Sequence, residues 1–271
     1  MKKVFGVALL LLFLIPLCLG LSDTDVRFAV NGRGVPEAHA HLPGGAHAPM
    51  GGICAGWIGK RVKGNPFHGW PVDFHKGDWN TISTWWCDPD YFPGYTHWGI
   101  DIARRDWDET IDGAPVLSTA AVARVKRIGY SNPPRWNSGM GNFVQIEAWG
   151  PVPEPGCALS DIDPREWTEE IIEDAAQKDW DSGLFTQCWV GSGWIATYMH
   201  LKDIAVEPGQ VVFYGDVLGH VDNTGNSTGP HLHYQINMPG ADGGRGPAID
   251  PAPTMADTYE DTLRELRKGQ R

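Results

Sequence analysis

Asn223-Thr-Gly-Asn-Ser-Thr-Gly-Pro-His-Leu-His233 is the stretch on which the reading of the fold turns. A Gly- and Ser/Thr-rich approach leads to two histidines placed two apart, His231 and His233, at the head of the apolar run Leu232-Tyr234-Ile236. On a β-strand, residues i and i+2 share a face, roughly 6.6 Å apart along the backbone. One imidazole can then bind a metal while the other faces the same site without binding it. Two upstream stretches fit that picture. His97-Trp-Gly-Ile-Asp101 offers a His and an Asp, and Tyr198-Met-His200-Leu201 offers a further His. Three ligands and two spare imidazoles are the inventory of a catalytic zinc site with its acid/base groups.

These motifs carry a resemblance. His97-x-x-x-Asp101, Tyr198-x-His200-Leu201 and Thr228-Gly-Pro-His-Leu-His233 are similar to the lysostaphin/LytM-type zinc metallopeptidases, which cut the peptide part of bacterial cell wall. Gly113-Ala-Pro-Val, Gly141-Asn-Phe-Val-Gln-Ile, Val206-Glu-Pro-Gly-Gln-Val, Val217-Leu-Gly-His-Val and Ile249-Asp-Pro fall in the family's order. The likeness covers residues 94–252. It implies a mainly β fold, a compact antiparallel sheet with Zn2+ in a groove. It assigns His97, Asp101 and His233 as metal ligands, with His200 and His231 as catalytic histidines that do not bind the ion. We favour His231 as the base, because it neighbours His233 on the same face. His97 and Asp101 would lie roughly 13 Å apart in a straight strand, so the chain must bend between them, and Gly99 eases that bend.

The rest of the chain divides around this domain. Lys2 and Lys3 precede an uncharged apolar run, Val4–Leu19, which reads as a signal peptide over 1–20 and predicts a secreted or periplasmic protein. Acylation at Cys18 is disfavoured by the bulky Leu17. The formal net charge of −11 becomes more negative once both lysines leave, which argues against nucleic acid as a partner. After cleavage the chain is expected to be a soluble monomer whose partner is the peptide of peptidoglycan. Residues 21–53, rich in Gly, Pro, Ala and His, read as a flexible lead-in.

Four cysteines remain after the signal, and three pairings are open. Chain order favours Cys54–Cys87 and Cys157–Cys188, each closing a loop worth about 3–4 kcal/mol. The first would close a Trp-rich segment over 54–93, most of whose tryptophans are expected to be buried. The second would staple an insertion over 150–190 that interrupts the β pattern. Asp163-Pro164 there predicts a helix over 164–179, with Trp167, Ile171 and Ala175 on one face. This partly helical insertion is expected to wall or cover the groove. A C-terminal helix is predicted over 253–271 from the spacing of Met255, Tyr259, Leu263 and Leu266.

Two functional classes follow. One is a secreted zinc endopeptidase acting on peptidoglycan cross-links or stem peptides. The other is a catalytically silent member that binds or activates other wall hydrolases. The full set of ligands and spare histidines favours the enzyme.

Overall fold

The computed structural model describes residues 58–88, 96–103, 109–131, 139–241 and 244–269. The expected signal segment and lead-in fall outside the described residues. Runs of β-branched and aromatic residues, punctuated by Gly, Pro and Asn, become strands because such side chains fill a pleated, half-buried surface. In chain order these are β1 (Ile82–Thr84), β2 (Ile100–Ile102), β3 (Pro115–Leu117), β4 (Val122–Gly129), β5 (Asn142–Pro151), β6 (Trp189–Ile204), β7 (Val211–Phe213), β8 (Val217–Val221), β9 (Leu232–Pro239) and β10 (Arg245–Ile249). They form one sheet ordered β1-β2-β9-β6-β5-β4-β7, in which β10 adds to β9 and β8 joins β3 to β6. The pairings are antiparallel throughout, as the sequence predicted. Strands β1, β2 and β10 were not anticipated; each is too short to show a period.

The long strand β6 lies at the centre, between β5 and β9. Its inward residues Ala196 and Tyr198 meet Val144 and Ile146 of β5 and Tyr234 and Ile236 of β9 in the main core. Opposite them, β2 pairs with β9 so that Asp101 faces His233 and Ile100 faces Tyr234. Trp70, Trp85 and Trp86 are buried against this core, as expected of the Trp-rich segment, whereas Trp98 is 41% exposed. No helix among the described residues is long and apolar enough to cross a membrane.

The insertion forms a second core. Cys157 and Cys188 are disulfide-bonded, with Cα atoms 5.4 Å apart. Cys87 is disulfide-bonded too; its expected partner, Cys54, lies outside the described residues. The predicted helix needs correction. Asp163 caps only a short turn over Pro164–Glu166, and Trp167 is extended. The helix itself is Glu169–Asp181, capped by Thr168, whose hydroxyl accepts from the Ile171 N–H. Its buried face is Ile172, Ala175, Ala176 and Asp179 rather than Trp167, Ile171 and Ala175. Starting the helix five residues late turns the stripe by more than one position.

The insertion does not take the expected place at the groove. It leaves the sheet at the Pro151/Trp189 end of the β5–β6 hairpin. His200 lies eleven residues further along β6, roughly 36 Å of extended strand away. The buried residues of the insertion pack instead with Ala121 and Val122 of the β4 side, with Val211 and Phe213 of β7, and with Tyr259 and Leu263 of the terminal helix. The single predicted C-terminal helix is two pieces, Ala252–Met255 and Tyr259–Gly269. Met255, Tyr259 and Leu263 are buried as the spacing implied.

Candidate metal centre

His97 sits just before β2, Asp101 within it, His233 near the start of β9. The backbone bends between His97 and Asp101, so that His97 Nε2 lies 3.0 Å from Asp101 Oδ1. His233 Nδ1 lies 2.8 Å from the same oxygen and 3.0 Å from His97 Nε2. Three potential ligand atoms thus form a small triangle, and all three side chains are buried. Gly99 is needed here for space rather than for an unusual φ. A Cβ on it would stand 2.5 Å from the Tyr234 carbonyl oxygen and 2.7 Å from His233 Nε2.

The triangle fits a cation. His97 Nδ1 donates to the Trp85 carbonyl at 2.8 Å. Its Nε2 therefore carries a lone pair in the neutral ring, and it faces a carboxylate oxygen that also carries lone pairs. Two such atoms at 3.0 Å need a proton or a metal between them. A carbonyl holding the far nitrogen of a histidine is also the usual support of a metal-ligating imidazole. Burial works against charge on Asp101, but the bonds from His233 and His97 outweigh it and hold its pKa well below the ordinary range. Burial opposes charge on His97 as well, yet the Asp101 bond and charge prevail and raise its pKa. For His233 burial prevails and its pKa is lowered.

The two spare imidazoles stand beside this triangle. His231 Nε2 is 3.7 Å from Asp101 Oδ1. Its Nδ1 lies 2.8 Å from the Gly229 carbonyl, to which it donates, and 3.1 Å from Ser227 Oγ. His200 Nδ1 donates to the Thr224 carbonyl at 2.7 Å. The His200 ring lies 4.6 Å from that of His231 and 6.2 Å from that of His233. Burial first, and then the proximity of His231, push the pKa of His200 down to about 4. Each spare ring is fixed at Nδ1 and offers Nε2.

A β-bulge puts His200 there. Asn142 pairs with Leu201 and Val144 with Tyr198, so two residues of β6 oppose one of β5. His200 occupies the bulge with φ of 67°, a conformation uncommon for any residue but glycine. In a straight strand His200 would share the face of Tyr198, which points into the core. The bulge turns it to the other face instead. Thr224 closes the arrangement: its hydroxyl donates to the Leu201 carbonyl at 2.8 Å and accepts from the Asn142 N–H at 3.0 Å.

All five residues singled out from the sequence therefore converge. What sequence reasoning missed are the carbonyls of Trp85, Thr224 and Gly229 that set the imidazole orientations. Backbone acceptors leave no side-chain signature. The remaining histidines among the described residues stand elsewhere: His68 is buried against Tyr214, His75 pairs with Glu109, and His220 pairs with Asp203.

Residues 171–251 match the family described as Peptidase family M23. Over that span the chain is similar to the M23 peptidases. The match contains His200, His231 and His233; His97 and Asp101 precede it and join the set through the fold. A 43-residue stretch is 54% identical to an uncharacterized metalloprotease of Buchnera aphidicola, covering 16% of this chain and 11% of that protein. A 50-residue stretch is 44% identical to the peptidoglycan DD-endopeptidase ShyA of Vibrio cholerae, covering 18% of this chain and 12% of that one. The chain thus aligns with only a small part of the length of these curated relatives. The catalytic domain of the antimicrobial peptidase lysostaphin from Staphylococcus simulans is 20% identical, with a TM-score of 0.35, over 72% of this chain and 92% of that one.

Proposed function

We propose that this protein is an exported, zinc-dependent endopeptidase that hydrolyses peptide bonds in peptidoglycan cross-links or stem peptides. The observation that carries the reading is the buried triangle of His97 Nε2, Asp101 Oδ1 and His233 Nδ1 at 2.8–3.0 Å, flanked by two imidazoles of fixed orientation. Two nitrogens and one carboxylate oxygen suit zinc. When bound, zinc supplies a Lewis acid and brings the pKa of water to about 7.

The side chains have separable roles. As the carboxylate ligand, Asp101 would offset part of the ionic charge. His231, held at Nδ1 by Gly229, accepts a proton at Nε2 from the attacking water. The Asp101 carboxylate, 3.7 Å away, stabilises the imidazolium that results. His200, held at Nδ1 by Thr224, faces the reacting amide from the other side of His231. It accepts the amide N–H through Nε2 and so orients the reacting bond.

The test is the clearing of purified cell walls, followed by turbidity, with and without a zinc chelator, alongside His200→Ala. Chelation should abolish clearing. His200→Ala should lower kcat by about 10²–10⁴-fold while zinc remains bound. Clearing that survives both treatments overturns the enzymatic reading. Bound zinc with no clearing by the wild type favours a silent, partner-binding member.

A further inference from the structure

Behind the metal centre one threonine hydroxyl bridges two tyrosine hydroxyls. Thr119 Oγ1 is 2.9 Å from Tyr198 Oη and 2.8 Å from Tyr234 Oη. A threonine hydroxyl can donate once and accept at least once, so Thr119 can serve both tyrosines. The Thr119 N–H adds a bond to Tyr198 Oη at 3.2 Å. None of the three residues is more than 1% exposed. Each hydroxyl left without a partner in such a place would be destabilising. Phenylalanine and valine would fill the same space without that risk, so burial alone does not account for these residue types.

Their position in the register does. Tyr198 of β6 pairs directly with Tyr234 of β9, and the next pair along is Met199 with His233. Tyr234 also pairs with Ile100 of β2, beside the pair Asp101 and His233. The bridged tyrosines therefore stand one residue from a metal ligand on β9 and one residue before the bulge that carries His200. A bulge lets a strand shift its pairing by one residue, which would turn His200 away from the groove. Thr119 itself belongs to neither strand. It comes from the link between β3 and β4, where its carbonyl accepts the His68 N–H at 2.8 Å. Because that anchor is independent, a slip of β6 against β9 would break the bridge and leave a buried hydroxyl unpaired.

We propose that Thr119 is a positioning residue of the catalytic centre: its hydroxyl locks Tyr198 to Tyr234, and so holds His200 and His233 in the register that the site requires. The inference rests on the functional reading above, since it says how that site is kept in place.

The test compares Thr119→Val, which keeps the shape and removes the hydroxyl, with Thr119→Ser, which keeps the hydroxyl. Zinc affinity is read by competition with a chromogenic chelator, and kcat and KM on wall substrate are measured well below the melting temperature. Thr119→Val should lower zinc affinity and kcat each by about tenfold with KM little changed, and Thr119→Ser should restore both. Wild-type kcat and zinc affinity in Thr119→Val overturn the proposal, whatever the change in melting temperature. A Thr119→Ser variant as impaired as Thr119→Val overturns it too, because the methyl group would then be what matters. If Thr119→Val does not fold, Tyr234→Phe replaces it, with the same expectation and the same overturning result. If the wild type neither binds zinc nor clears walls, the functional reading fails separately. The role of Thr119 is then judged by the imidazole NMR resonances of His200 and His233, and unchanged resonances in Thr119→Val overturn it.

Discussion

Two buried aspartates divide the molecule. Asp101 lies in β2 and bonds two imidazoles. Asp179 lies in the insertion helix, where it accepts from the Ala158 N–H at 3.0 Å and from Trp189 Nε1 at 2.9 Å. Both side chains are almost wholly buried. The partners of Asp179 are neutral donors with no other duty, so its carboxylate ties the helix to the strand that follows the disulfide. The partners of Asp101 are groups that can themselves ionise or bind a metal. Similar burial of the same residue type thus yields a structural fastening in one region and a reactive centre in the other. The neighbours decide which.

Exchanging each aspartate sharpens the contrast. Asp101→Ala should lower zinc affinity by at least about a hundredfold and abolish wall clearing, as removal of a ligand must exceed the loss of a supporting group. Asp179→Ala should leave zinc binding intact and lower stability by about 1–3 kcal/mol, because a buried indole N–H and a backbone N–H lose their acceptor. Zinc titration and urea unfolding on both variants read the two effects. A variant of Asp179 that loses zinc would break the division. The disulfide gives the next largest effect. Replacing Cys157 and Cys188 together by Ser should lower stability by about 3–4 kcal/mol, with kcat per bound zinc unchanged. An activity loss there would bring the insertion back to the groove.

A third buried aspartate offers a smaller test. Burial raises the pKa of Asp250 to about 6, in spite of bonds from the Gly59 and Ala252 N–H groups. The folded state therefore holds its proton up to a higher pH than the unfolded chain does. Stability linked to this group is present at low pH and is lost as pH rises through about 6. Asp250→Asn stays neutral. Relative to the wild type it should gain about 3 kcal/mol between about pH 4 and pH 7, on top of a constant offset from the lost acceptor. Urea melts of both proteins across that range measure the difference, and parallel curves would contradict the burial argument.

Much of this was legible in the sequence, though not always for the right reason. The strands β3 to β9 announced themselves by Val- and Ile-rich runs between turn residues. The five site residues were found from motif spacing and family resemblance. Spacing alone misleads at Tyr198-Met-His200, which in a regular strand would put tyrosine and histidine on one face. The bulge that separates them is a feature of pairing with β5, and pairing is invisible in a single run of residues. Gly99 was noticed for its flexibility, whereas its role is to admit the His233 ring. The helix start was misplaced because Asp163-Pro164 and Thr168 are both good caps, and Trp167 is drawn into the second core between them. The placement of the insertion depended on which end of the β5–β6 hairpin it leaves, which no local pattern reports.

The central claim concerns one ion and three side chains. X-ray absorption at the zinc edge, on the protein loaded with one equivalent of zinc, tests it most directly. The account predicts two imidazole nitrogens and a carboxylate oxygen from the protein, with the imidazole signal halved or the metal lost in His233→Ala. A sulfur ligand, or a spectrum unchanged by loss of His233, would contradict it.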